Sequence, residues 1–191
     1  MTEATIEATP RSKVRLAAIF YVFTFLAGGL SLVVRGKLGM AAGLIAGACY
    51  VAVTLLFYAI FKPVNRGLSL LAAVLSLVGI AIGPLGLLHL APRINPLVFF
   101  GFYCLLIGYL IFRSTFLPGA LGALMAFGGL GWLTFLSPIL ANHLFPYNMV
   151  PGILGEGALT LWLLVMGVNV PRWREQAGLT GDMMGAPRQA N

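Results

Sequence analysis

The sequence predicts an all-α polytopic membrane protein, a bundle of six transmembrane helices with both termini in the cytoplasm. Of its 191 residues, 60% are apolar and only 9% are charged, whereas soluble domains carry about 25% charged residues. The apolar residues form six runs, each near the roughly 20 residues that a helix needs to cross a bilayer. Lysine and arginine concentrate in alternate connections, which indicates the orientation.

Short polar or basic turns separate the six predicted spans. The spans are expected at about residues 14–34, 39–61, 68–89, 97–112, 119–140 and 149–170. Residues 1–13 are expected to form a disordered cytoplasmic tail, and residues 171–191 a second cytoplasmic tail. The membrane domain therefore covers residues 14–170, with no room for a separate soluble domain.

Basic residues set the expected orientation of the spans. Nine of them lie on the side of the two termini: Arg11, Lys13, Arg15, Lys62, Arg66, Arg113, Arg172, Arg174 and Arg188. Three lie on the other side: Arg35, Lys37 and Arg93. Because the basic excess marks the cytoplasmic side, we expect a multi-pass protein of the cell (inner or plasma) membrane. The expected partner is the lipid bilayer, and the net charge of +7, spread over membrane flanks, indicates no nucleic acid.

Glycine accounts for 24 residues, and several glycines recur at a spacing of four. Such spacing lets a second helix backbone approach closely in lipid. The glycines expected to pack helices are Gly39, Gly43, Gly47, Gly79, Gly83 and Gly152. The sequence leaves open whether they pack within the chain, against a second copy in a homodimer, or against a partner membrane protein.

Glu156 is the only acidic residue inside a predicted span. It lies about seven residues into the sixth span, roughly 10 Å from the outer edge of the hydrocarbon. A central acid costs about 2.5–3.5 kcal/mol on insertion scales, so it is expected to face the bundle interior or water. Glu156 shares a helix face with Gly152 and Thr160 by the i, i+4 rule.

Other polar residues are expected in the same outer half of the membrane. They predict an outward-facing polar vestibule around Glu156 that binds or moves a small molecule or a proton. The candidate site comprises Glu156, His89, His143, Arg93, Asn142 and Thr160. A structural alternative is a carboxyl that merely holds helices together, in a structural or accessory subunit that packs on partner helices through its glycine faces.

An integral-membrane enzyme is the weaker alternative. The sequence contains no H-E-x-x-H, C-x-x-C, G-x-S-x-G or Walker motif. No catalytic residue, metal or cofactor is therefore predicted, and the ligand's identity stays open.

Several segments resemble an uncharacterised family of bacterial multi-pass proteins, domain of unknown function 4386. The resemblance rests on residues 62–66 (KPVNR), 108–114 (GYLIFRS), 116–118 (FLP), 121–122 (LG), 155–156 (GE), 161–165 (LWLLV) and 167–169 (GVN). It implies a six-helix bacterial membrane protein and implies no activity. Two departures are a very short first external loop and Tyr103, which stands where the family is associated with a histidine.

Overall fold

A computed structural model describes residues 10–87 and 94–178. These ranges contain eight α-helices and no β-strand. The helices are α1 (Pro10–Val33), α2 (Lys37–Phe61), α3 (Arg66–Leu87), α4 (Pro96–Arg113), α5 (Gly119–Leu133), α6 (Pro138–Leu144), α7 (Val150–Val165) and α8 (Val170–Gln176). Short 3-10 turns at Thr134–Leu136 and Tyr147–Met149 flank α6.

Six segments of the described chain are long and apolar enough to cross a membrane. They are α1 to α4, α5 with its following turn, and α7 with its preceding turn. Large apolar side chains cover the outer surface of the bundle, as the exposure of Leu26, Leu161 and Val165 illustrates. The chain is a multi-pass membrane protein, as its composition predicts.

The six long helices form a closed ring. Each of α1 to α4 packs on the next, α4 packs on α5, α5 packs on α7, and α7 returns to pack on α1. Aromatic and aliphatic side chains fill the ring, with Tyr21, Phe57, Tyr103 and Leu159 among the fully buried ones. A side chain on the inner face of any one helix can therefore meet side chains from several others.

The fifth predicted span, residues 119–140, is interrupted in the structure. Its first helix ends at Leu133, and a new helix starts at Pro138. Ser137 is extended, with φ −112° and ψ 110°, and its side chain accepts from the amide of Leu140. The residue before a proline avoids the helical conformation, and serine is a favoured N-cap, so Ser137 and Pro138 account for the break.

The sixth predicted span, residues 149–170, ends earlier in the structure. Gly167 adopts φ +71°, and its amide donates to the carbonyl of Trp162 at 3.0 Å. Such a left-handed glycine is a common helix terminator. The short α8 follows, and the indole of Trp173 donates to the Ile60 carbonyl at 2.9 Å, so α8 is fastened to the end of α2.

Glycines allow close packing between α4 and α5. A Cβ on Gly108 would lie 2.8 Å from the carbonyl oxygen of Gly122, and a Cβ on Gly122 would lie 2.7 Å from that of Gly108. Gly101 and Gly129 form a similar pair, nearer the N-terminal end of α4 and the C-terminal end of α5. These two glycine pairs let the backbones approach to a distance that larger residues exclude.

Candidate functional site

Glu156 lies on the inner face of α7, with 7% of its surface exposed. Gly152 and Thr160, which the i, i+4 spacing places on the same helix face as Glu156, are buried as well. Leu154 and Leu161, on the opposite face, are more than half exposed. The costly carboxyl is therefore turned away from lipid.

Four side chains from four other helices donate hydrogen bonds to the Glu156 carboxylate. Oε2 accepts from Tyr21 Oη of α1 at 2.8 Å and from Tyr50 Oη of α2 at 3.2 Å. Oε1 accepts from Trp132 Nε1 of α5 at 2.9 Å and from Cys104 Sγ of α4 at 3.7 Å. We call these five residues the Glu156 cluster; it connects five of the six ring helices.

Four of the five residues of the Glu156 cluster lie near the midpoints of their helices, and Trp132 is the fourteenth of 15 residues in α5. Tyr21 is the twelfth of 24 residues in α1, and Tyr50 is the fourteenth of 25 in α2. Cys104 is the ninth of 18 in α4, and Glu156 is the seventh of 16 in α7. The cluster thus lies at the depth where hydrocarbon surrounds the bundle and where water competes least for its hydrogen bonds.

None of the four donors to Glu156 carries a positive charge. An ionised carboxylate offers about four acceptor positions, and the cluster supplies one donor for each. Hydrogen bonds to a charged group contribute about 1.5–3 kcal/mol each, more than neutral ones, so the donors offset much of the cost of burial. Thr160 is adjacent, but its hydroxyl donates to the backbone carbonyl of Glu156 at 2.7 Å.

Gly152 makes room for the indole of Trp132. A Cβ on Gly152 would collide with atoms Cε2, Cζ2 and Nε1 of that ring. The glycine one turn before Glu156 therefore allows the Trp132 indole to lie against α7 and reach the carboxylate. This is the one predicted packing glycine that contacts the Glu156 cluster.

A cavity of about 720 Å³ lies beside the Glu156 cluster, bounded by α1, α2, α3 and the start of α4. Its walls include the five remaining predicted packing glycines: Gly39, Gly43, Gly47, Gly79 and Gly83. We call it the glycine-lined cavity. Tyr50 lines it and also donates to Glu156, so one side chain belongs to both.

The glycines of this cavity differ in what they contact. A Cβ on Gly79 would lie 3.1–3.3 Å from atoms of Phe99, Phe100 and Pro96, so this glycine packs α3 on α4. A Cβ on Gly43 would lie 3.7 Å from Ser31, and one on Gly83 would meet nothing within 4 Å. The spacing-of-four face of α2 and α3 is therefore only partly used for helix packing.

The polar groups of the cavity lie mainly on α1 and at its end. Thr24 Oγ1 donates to the Phe20 carbonyl at 3.0 Å, and Ser31 Oγ donates to the Gly28 carbonyl at 2.6 Å. Arg35 also lines the cavity, in the turn between α1 and α2, and is exposed. Apolar surface thus dominates the interior of the cavity, and the positively charged Arg35 lies at one end of it.

Asn142 and His143, two of the other predicted site residues, do not join Glu156. His89 and Arg93 lie outside the described residues. Asn142 and His143 are exposed on α6, and Asn142 lines a separate cavity of about 780 Å³ with Asn95. Within residues 10–87 and 94–178, no three His, Cys, Asp or Glu side chains are grouped to hold a metal ion.

Sequence reasoning missed the four donors to Glu156. Tyr21, Tyr50, Cys104 and Trp132 are all inside apolar spans, where they also suit ordinary packing. The signal that was available is position: three of them lie near helix midpoints, where a tyrosine is away from its usual interfacial belt. Tyr103 shares this depth, is 1% exposed, and its hydroxyl makes no hydrogen bond in the described part of the chain.

Comparison with known proteins identifies relatives without a known activity. The model of a family described as domain of unknown function (DUF4386) matches residues 35–94 and 93–167. An uncharacterized protein of Archaeoglobus fulgidus is 27% identical over 126 residues, a match that covers 61% of this chain and 76% of that protein. No solved structure matches the chain significantly.

Proposed function

We propose that this multi-pass membrane protein, which belongs to the DUF4386 family of unknown function, binds an amphiphilic small molecule in the glycine-lined cavity. The ligand has an apolar body and one acidic end. The observation that carries the proposal is the cavity itself, about 720 Å³ between four helices with an arginine at its end.

The size and lining of the cavity support a small-molecule ligand. Ligand sites are typically clefts of about 300–1,000 Å³, mostly apolar, with a few polar groups that fix orientation. Glycines, Ile80 and Phe100 supply an apolar wall on which an acyl-like or ring-like body packs without meeting buried charge. Tyr50 and Thr24 supply hydroxyl groups deeper in the same wall.

Arg35 supports an acidic group on the ligand. It is exposed at the end of the cavity, and in the described part of the chain no hydrogen bond or ion pair occupies its guanidinium. A guanidinium binds a carboxylate or phosphate with two parallel hydrogen bonds. An anionic amphiphile would therefore place its head at Arg35 and its tail among the glycines.

The cavity opens on the outer side of the membrane in this proposal. Nine basic residues flank the side of the termini and three flank the other side, which favours cytoplasmic termini in the cell membrane. Arg35 lies on the side with three basic residues, which is the outer side in this orientation. The small-molecule site expected around Glu156 is thus assigned to the neighbouring cavity, and Tyr50 connects the two.

A fluorescent long-chain fatty acid tests the ligand class. It should bind the purified protein in detergent, and a fluorescent long-chain alcohol should bind more weakly. Gly43→Leu fills the cavity and should abolish binding, whereas Gly29→Leu should not. Gly29 is the matched control because it faces outward on α1, away from the cavity lining, and a Cβ there meets nothing within 4 Å. Equal binding by the two variants, or no binding by the wild type, would refute the proposal.

The accessory-subunit alternative has one specific observation in its favour. Gly83 has open space where its Cβ would be, so a glycine face on α3 is free for a partner helix. Under that alternative, Gly43→Leu and Gly83→Leu release a co-purifying membrane protein or dissociate a dimer. The fatty-acid probe then binds neither the wild type nor the variants.

A further inference from the structure

We propose that Glu156 is an exchangeable proton site and that Tyr50 is the hydroxyl through which its proton reaches the glycine-lined cavity. This goes beyond ligand binding, because it assigns a second, protonic ligand to a separate group. It uses the existence of the cavity but not the identity of any molecule bound there.

The geometry around Glu156 Oε2 singles out Tyr50. Both Tyr21 and Tyr50 donate to this oxygen, and their hydroxyl oxygens are 3.1 Å apart. Tyr50 lines the cavity. Tyr21 is 0% exposed and has no place in that lining. The two tyrosine hydroxyls on this carboxylate oxygen, at 2.8 and 3.2 Å, thus differ in their access to the cavity.

The surroundings of the carboxyl favour a proton as its counter-ion. The titratable groups that face it are Tyr21 from α1, Tyr50 from α2, and Cys104 and Tyr103 from α4. Trp132 from α5 does not titrate, and none of these side chains is a cation. A buried carboxylate is costly without a paired charge, and a proton neutralises it without needing additional space.

Tyr103 provides a second observation at the same place. Its ring packs against that of Tyr50, with centroids 6.1 Å apart. Its hydroxyl is buried and makes no hydrogen bond within the described residues. Buried hydroxyls are ordinarily satisfied by protein or by an ordered water, so this hydroxyl is a polar group beside Tyr50 whose hydrogen-bonding capacity the described residues do not use.

Proton release through Tyr50 balances as a hydroxyl relay. The proton on Glu156 Oε2 forms a bond to Tyr50 Oη, while the original Tyr50 proton passes to a water in the cavity. Glu156 changes from neutral acid to carboxylate, Tyr50 is a neutral phenol before and after, and the water becomes hydronium. Uptake is the reverse. Thr24, Ser31 and Arg35, which also line the cavity, provide polar groups for water toward its open end.

Infrared spectroscopy of the ligand-free protein in lipid nanodiscs tests this relay. The chain has five acidic residues, and Glu156 is the one within a span, so Glu156→Gln assigns its carboxylic-acid carbonyl band. Transfer into deuterated water shifts this band when the carboxyl proton exchanges. The rate of the shift therefore measures the connection between Glu156 and solvent.

Tyr50→Phe and Tyr21→Phe are the matched pair. Each removes one donor from the same carboxylate oxygen, so the pair controls for a lost hydrogen bond. We expect exchange in Tyr50→Phe to be roughly tenfold slower than in Tyr21→Phe, the factor for about 1.4 kcal/mol in the barrier. Gly43→Leu, which fills the cavity and leaves all four donors in place, should also slow exchange relative to Gly29→Leu.

Exchange in Tyr50→Phe that is equal to or faster than exchange in Tyr21→Phe would overturn the inference. So would the lack, between about pH 5 and 8, of any carboxylic-acid band that Glu156→Gln removes. Near-neutral groups titrate in this pH range. If Glu156→Gln does not fold, the tyrosine pair decides alone. Because no ligand is present, these results are independent of whether the fatty-acid probe binds.

Discussion

Glycines occupy both sides of the helix ring, but they serve different purposes on each. On the closed side, where α4, α5 and α7 meet, Gly108 and Gly122 bring two backbones together and Gly152 admits the Trp132 indole. On the open side, where α2 and α3 face each other, Gly83 has open space at its Cβ position, and Gly43 and Gly83 both line a cavity. The same spacing in sequence thus yields tight packing or a binding surface.

The Glu156 cluster explains the difference between the two sides. Its strongest donors include Trp132 on α5, which adjoins α7 directly, so the cluster pulls together helices that glycines allow to approach. No cluster residue comes from α3. The buried polar contact of α3 lies one turn of α2 away from Tyr50, where the hydroxyls of Thr54 and Ser76 are 2.7 Å apart, and the cavity lies on the other side of Tyr50. Changes on the closed side should therefore cost stability, and changes on the open side should cost binding.

The largest expected effect is that of Glu156→Leu. It leaves the buried donors of Tyr21, Tyr50 and Trp132 without their acceptor, and each unsatisfied donor costs about 1–3 kcal/mol. The free energy of unfolding in detergent should fall by at least about 3 kcal/mol. Glu175→Leu, an identical change at an exposed position on α8, should stay within about 0.5 kcal/mol of the wild type. Similar losses in both variants would mean that the cluster does not hold the ring together.

Gly122→Val against Gly47→Val compares the two sides directly. On the closed side the new Cβ would lie 2.7 Å from the Gly108 carbonyl, and on the open side 3.6 Å from Ile80 Cγ2. Overpacking costs about 1–3 kcal/mol, so Gly122→Val should lower the thermal unfolding temperature measurably while Gly47→Val changes it little. Equal destabilisation would show that the open side is as tightly packed as the closed one.

Trp132→Phe should destabilise the protein less than Glu156→Leu does. It removes one hydrogen bond to the carboxylate, which is expected to cost about 1.5–3 kcal/mol, and it retains an aromatic ring. Trp162→Phe is the control, because Trp162 lies on α7, is half-buried and makes no side-chain hydrogen bond in the described part of the chain. Denaturant titration should separate the two, and an equal loss would assign the Trp132 effect to packing alone.

Arg35→Gln should have the smallest effect on stability. Arg35 is exposed, and surface changes usually stay within about 0.5 kcal/mol. The dissociation constant of the fluorescent fatty acid should nevertheless rise about tenfold, as expected for losing about 1.4 kcal/mol, and that of the fluorescent alcohol should not. A change that is equal for both probes would show that Arg35 does not recognise the acidic group.

Much of the architecture follows from the sequence because its causes are local. Hydrocarbon thickness fixes the span length, and the cost of a buried carboxyl together with the i, i+4 periodicity turns Glu156 inward. The broken fifth span is also local, since Ser137 and Pro138 end one helix and start another. The predicted span nevertheless extends to residue 140, because the apolar character of the sequence continues through these two residues.

The partners of Glu156 depend on the order of helices around the ring, which is not local. Tyr21 and Tyr50 are 135 and 106 residues away from Glu156 in the chain, and no periodicity within a span reports which spans are neighbours. What the sequence predicts about the glycine faces is limited in the same way. Spacing shows that Gly39, Gly43 and Gly47 permit a close approach, but whether a helix occupies that face depends on the rest of the bundle.

A high-resolution map of the protein extracted with its native lipids tests the central claim most directly. We predict elongated non-protein density in the glycine-lined cavity, with one end at Arg35, and a Glu156 carboxyl enclosed by Tyr21, Tyr50, Cys104 and Trp132. A collapsed cavity together with ligand density against Glu156, or a Glu156 side chain turned toward lipid, would contradict it.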